Sequence, residues 1–147
     1  MEVEGVETYL LEEGDFAISI KKGEKKDIPA HLALVMERHG IVKIDGMTNV
    51  DVKKRTMNEK ASPHLTDLPE DFYESAAYVM EHCDGKERIR LSNSLRELVR
   101  ARLEKIHRLC LQEKHAPGEM QNIEKGYYAK TQELVRETLD FLDITEE

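Results

Sequence analysis

The sequence predicts an α+β protein in which a small N-terminal strand-rich domain precedes a mainly α-helical domain with one long helix. Three observations lead there. Phe16, Ile18 and Ile20 alternate with Ala17, Ser19 and Lys21 at the period of a strand. From Lys86 to Lys114 there is neither proline nor glycine, and Leu91, Leu95, Leu98, Val99, Leu103, Ile106 and Cys110 fall at helical spacing. Between these regions, Leu65-Thr66-Asp67-Leu68-Pro69-Glu70-Asp71-Phe72-Tyr73 reads as a capped helix start that divides the mixed part of the chain from the helical part.

The elements follow in order. Tyr9 to Leu11 and Phe16 to Ile20 predict two strands joined by a tight turn at Glu13-Gly14-Asp15, and Lys22 to Lys26 a charged loop. Asp27-Ile28-Pro29 opens a short helix with Leu32, Val35 and Met36 on one face, Leu34 beside it, and Gly40 as the C-terminal stop. Ile41, Val42 and Ile44 form a further strand, closing a small domain over residues 1–46. Residues 47–64 are expected to be a partly helical linker, with Thr48 and Asp51 as an N-cap and its acidic partner and Ala61-Ser62-Pro63 as the break.

The helical domain covers 65–147. Pro69 suits a first helical turn, Glu70 and Asp71 suit the positive end of the helix dipole, and Phe72, Tyr73, Ala76, Ala77, Val79 and Met80 give that helix an apolar face ending near Asp84-Gly85. Even about 24 residues of the next helix would run about 36 Å, enough to project past its neighbours within the chain. After a turn at His115-Ala116-Pro117-Gly118, Met120, Ile123, Tyr127, Leu134, Phe141 and Leu142 mark a last amphipathic helix, broadened by Tyr128, Val135 and Leu139.

Composition narrows the function. The chain has 147 residues, enough for a real core, and only 5% aromatics without tryptophan, which favours aliphatic helix packing over an aromatic binding cleft. A formal net charge of -8 opposes nonspecific nucleic-acid binding by the whole molecule and points to protein partners. Two cysteines are too few for a disulfide scaffold, and neither a basic, apolar leader nor a membrane-length apolar run is present. A cytoplasmic protein is expected.

Candidate chemistry is sparse. His82 and Cys83 are adjacent on a helix and point about 100° apart, so they cannot act as base and nucleophile. His107 and Cys110 could share a metal, but a structural zinc needs about four ligands and no companion pair is present. Glu70, Asp71 and Glu74 are accounted for by the helix dipole rather than by acid–base catalysis or magnesium. Without a phosphate-binding loop, a serine elbow or a two-histidine motif, the sequence carries no enzyme signature, and no catalytic residue, cofactor or metal is expected.

Charge is segregated between the last two helices. Arg88, Arg90, Arg96, Arg100, Arg102, Lys105, Arg108 and Lys114 make the long helix basic, while Glu119, Glu124, Glu133, Glu137, Asp140, Asp143, Glu146 and Glu147 make the last one acidic. Antiparallel charge complementarity with solvated faces explains this pattern. An acidic protein partner is a second reading. A third is a small nucleic-acid-binding regulator using the basic helix, although no aromatic residues interleave there for base stacking.

The stretch Leu65 to Tyr73, followed by a long helix carrying Arg102-Leu103-Glu104-Lys105-Ile106, resembles the helical domain of GINS replication proteins. Ile28-Pro29-Ala30-His31-Leu32-Ala33 and Gly40-Ile41-Val42-Lys43-Ile44 are similar to the small β-rich domain of that family, and the order of domains resembles the archaeal type with the small domain first. The resemblance implies a noncatalytic scaffold that joins a sister subunit in a four-chain complex. It further implies contact with the MCM replicative helicase and a RecJ-like partner during replication initiation and fork progression. DNA contact would be weak or indirect, and an archaeal protein would be nucleoid-associated. The subunit interface is expected to use Leu91, Leu95, Leu98, Val99, Leu103, Ile106, Tyr127 and Leu134.

Overall fold

The structure is a computed structural model and describes residues 1–112 and 118–142. The elements are β1 (Glu2–Gly5), β2 (Tyr9–Glu13), β3 (Phe16–Ile20), β4 (Lys25–Asp27), α1 (Ala30–Arg38), β5 (Val42–Ile44), α2 (Asn49–Ala61), α3 (Phe72–His82), α4 (Gly85–Leu111) and α5 (Asn122–Phe141). This is the expected α+β order, a strand-rich N-terminal region followed by a mainly helical one. The residues group into two compact units, 1–48 with 71–84, and 49–70 with 85–147.

In the first unit, β2 and β3 form the expected antiparallel hairpin, with Tyr9 opposite Ile20 and Glu13 opposite Phe16. Gly14, at φ +60°, supplies the left-handed turn. A separate three-stranded antiparallel sheet has the order β4-β1-β5 and places Val3 between Lys26 and Ile44. Strand β1 and the strand in the charged stretch Lys25–Asp27 are additions to the sequence reading. The first is four residues long with Val3 as its one large apolar side chain, too little alternation to read from sequence, and the second is exposed throughout.

Helix α1 ends in a Schellman arrangement: Gly40 N–H donates to the Glu37 carbonyl and Ile41 N–H to the Met36 carbonyl, both at 3.0 Å, with Gly40 at φ +70°. Its buried face is Ala33 and Met36, whereas Val35 is half exposed. Ala33 and Met36 join Val3, Ile18, Ile20, Ile28, Val42 and Ile44 in one core, against which Tyr78 of α3 packs. The Tyr78 hydroxyl donates to Glu37, whose other carboxylate oxygen accepts from Ile44 N–H at 3.2 Å.

Helix α3 begins later than Pro69. Residues 65–69 are irregular, and Asp71 is the N-cap residue without a side-chain cap; its carboxylate pairs with the Met1 amino group instead. Phe72 and Ala76 are the buried positions of this helix, and Ala77 is exposed.

In the second unit, residues 49–61 form α2, which packs along α4 and buries Val52, Thr56 and Glu59. Helix α4 has 27 residues, or about 40 Å at 1.5 Å per residue. It buries Leu91, Ser94, Leu98, Arg102, Ile106 and Cys110. Leu65, Ile106, Cys110, Met120 and Tyr128 share a core that ties the segment after α2 to both long helices. Of the expected turn, His115 to Pro117 lie outside the described residues. Among the described residues, no helix is long and apolar enough to cross a membrane.

Candidate subunit interface

The buried seam of the second unit contains an ionic cluster. Arg102 stands where the α4 stripe calls for an apolar residue, between Leu98 and Ile106, and is fully buried. Its Nη1 donates to Glu59 Oε2 at 2.9 Å and to the Thr66 carbonyl at 2.8 Å, its Nε donates to Glu124, and its Nη2 reaches the Glu119 carbonyl at 3.2 Å. Lys105 Nζ adds bonds to Glu59 Oε1 at 2.7 Å and the His64 carbonyl at 2.8 Å. Gln121 Nε2 holds the Pro69 carbonyl at 3.0 Å. One guanidinium thus fixes α2, the segment after it, α4 and the start of α5 in one register.

Burial pushes the Glu59 carboxyl up. Hydrogen bonds from Lys105 and Thr66, with the charges of Arg102 and Lys105, outweigh burial and leave it below the usual carboxylate range. A carboxylate so saturated with donors is a structural anion rather than a proton carrier.

Helix α5 has two apolar faces. Glu124 and Tyr128 are buried and Thr131, Val135 and Leu139 half-buried along one line, the side that packs with α4. Ile123, Tyr127, Leu134 and Phe141 lie about 100° away on the helix wheel and are exposed, Ile123 at 72%, Leu134 at 63% and Phe141 at 88%. The sequence reading merged these two lines into one face. Their separation leaves a stripe with intervals of four, seven and seven residues that no described residue covers.

The expected interface residues divide accordingly. Leu91, Leu98 and Ile106 are fully buried within the chain, Leu95, Val99 and Leu103 are half-buried beside them, and Tyr127 and Leu134 lie on the exposed stripe. Sequence reasoning put Ile123 and Phe141 on the apolar face of the last helix but not among the interface residues, and it missed Glu59, Arg102 and Glu124 as a buried cluster. The register was the available signal: Arg102 is four residues from both Leu98 and Ile106, and Glu59 follows Val52 and Thr56 at helical steps.

The candidate chemical groups are placed otherwise. Cys110 is buried with its thiol directed at the Tyr128 carbonyl, 3.7 Å away, and burial raises its pKa, while His107 is exposed. His82 stacks on Tyr78 with ring centroids 4.1 Å apart, and the Cys83 thiol points to the Met80 carbonyl. Glu70 and Glu74 are exposed. Among the described residues, no group of three or more His, Cys, Asp or Glu side chains could hold a metal ion.

Residues 47–140 match the Sld5 family, described as the GINS complex protein helical bundle domain. This span takes in α2, α3, α4 and all but the last residue of α5. No curated protein matches the chain.

Proposed function

The chain belongs to the GINS family of DNA replication complex subunits, and on that premise we propose that it is a noncatalytic scaffold of the replicative helicase. The observation that carries the reading is the exposed stripe of Ile123, Tyr127, Leu134 and Phe141 within a helix of the family-matched region. A helix that buries one apolar line inside its own chain and displays another is built to meet a second helix.

In this reading, the stripe and the half-buried Leu95, Val99 and Leu103 meet a sister GINS subunit. Leu91, Leu98 and Ile106 form the floor beneath them. Two copies of each subunit make a four-chain complex, which joins the MCM helicase and a RecJ-like partner in the cytoplasm, at the nucleoid. The clustered Arg102 network supports this role by holding the scaffold rigid, which lowers the entropy lost on association.

The test is co-expression with a candidate sister subunit from the same genome and measurement of the purified particle's mass. A particle with two copies of each chain supports the reading; two separately eluting proteins under mild salt reject it.

A further inference from the structure

A groove runs between the end of α2 and the adjoining face of α4, with a cavity volume of about 640 Å³. Lys60, Arg96, Arg100 and Arg108 line it, together with Glu97 and Glu104. Lys60 pairs with Glu97, so these two charges offset one another and the guanidinium groups set the local field. The guanidinium groups of Arg96, Arg100 and Arg108 are exposed and have no hydrogen bond or ion pair among the described residues. A neighbouring depression continues the basic track through Lys53 and Arg90 and shares Asn93 and Glu97 with the groove. On a chain of net charge -8, such a segregated row of free guanidinium groups is a local field opposite to that of the whole.

We propose that this groove holds the phosphodiester backbone of single-stranded nucleic acid. Arg96 and Arg100 stand one helical turn apart, about 6 Å in rise, and Arg108 two turns further on, so one strand lying along α4 can meet all three. Guanidinium forks pair bidentately with phosphate oxygens. The lining contains no aromatic and no branched aliphatic side chain; Ala61, Pro63 and Ala101 are its apolar members. A docking peptide therefore lacks anchors, and bases lack a stacking platform. The cations line a depression rather than a projecting element, which favours a flexible strand over a rigid duplex. Binding is weak, independent of base sequence and steeply dependent on salt. The groove is separate from the exposed stripe of α5, so this inference and the proposed subunit contact stand or fall independently.

The experiment is fluorescence anisotropy of an end-labelled oligothymidylate of about 20 nucleotides, titrated with the full chain at about 50 and 200 mM salt. Three neutralised phosphates give a slope near -0.7 for each, which is about a twenty-fold loss of affinity across that range. The triple charge reversal R96E/R100E/R108E abolishes binding while circular dichroism stays unchanged. The milder Arg100→Gln variant lowers the slope by about 0.7, which keeps the proposal testable if the triple variant misfolds. Lys130→Glu, on α5 and outside the groove, leaves binding unchanged. No anisotropy change at the lower salt, retained binding in the folded triple variant, or equal binding of a duplex or a poly-glutamate peptide overturns the proposal.

Discussion

Arg102 and Glu124 meet as a fully buried pair, with the guanidinium Nε 3.0 Å and 3.1 Å from the two carboxylate oxygens although the residues are 22 apart in sequence. Glu59 completes the arrangement from the other side. Removing Arg102 leaves two buried carboxylates facing one another with Lys105 as the nearest cation left to them. Arg102→Ala therefore costs about 3–5 kcal/mol, the range for breaking a buried pair by deleting one partner. Arg102→Lys recovers little, since an ammonium cannot reach both carboxylates and two carbonyls in one plane. Urea unfolding at neutral pH measures both; a loss below about 1 kcal/mol for the alanine variant would show that the cluster is not a structural lock.

The same cluster sets an acid limit. The folded-state pKa of Glu59 is depressed below its ordinary value of 4.5, so its contribution is fully present above that value and disappears as pH falls through the folded pKa. Stability measured from pH 7 downward should stay flat in this contribution until near 4.5 and then decline. Glu59→Gln should be less stable than the parent at pH 7, with the difference shrinking on acidification. A constant difference across the whole range contradicts this assignment.

Two glycines respond in opposite directions to alanine. A Cβ on Gly5 would lie 2.2 Å from the Lys21 carbonyl oxygen and 3.0 Å from its carbon, so backbone must move. Overpacking of this kind costs about 1–3 kcal/mol or more. A Cβ on Gly126, within α5, meets nothing within 4 Å, and alanine there adds about 1 kcal/mol through helix propensity. Thermal melts of the two variants should bracket the parent, Gly5→Ala below and Gly126→Ala above.

Tyr78 should resist ionisation. Burial, then the hydrogen bond and charge of Glu37, push its phenol up to about 12 from 10.0. Its folded pKa is raised, so its stabilisation is complete below pH 10.0 and is lost as pH rises toward about 12. Ultraviolet titration of parent against Tyr78→Phe should assign one late phenolate to this residue; a difference spectrum centred near 10 contradicts the Glu37 contact.

Much of this fold is legible in the sequence because periodicity reports burial. The hairpin of Tyr9 to Ile20 and the long helix through Leu91, Leu98 and Ile106 follow from that signal alone. It fails where pairing rather than burial makes the element. Strand β4, Lys-Lys-Asp, exists because its backbone pairs with β1, and nothing in its side chains announces it. It also fails where a charge takes an apolar place, as Arg102 does, because a basic residue on a basic helix reads as solvated surface. On α5 the apolar residues are numerous enough to suggest one broad face. Only packing reveals that Tyr128 and Val135 turn inward while Ile123, Leu134 and Phe141 turn out.

Whether that outward stripe is the subunit contact is decided by the mass of the co-purified complex. Leu134→Asp removes an exposed anchor without disturbing a buried one, so the chain should keep its circular dichroism and melting temperature. In light scattering after co-expression with the sister subunit, the parent should run as a four-chain particle and Leu134→Asp as smaller species. A folded Leu134→Asp variant that assembles to the full mass at the same concentration would rule the stripe out as the subunit contact.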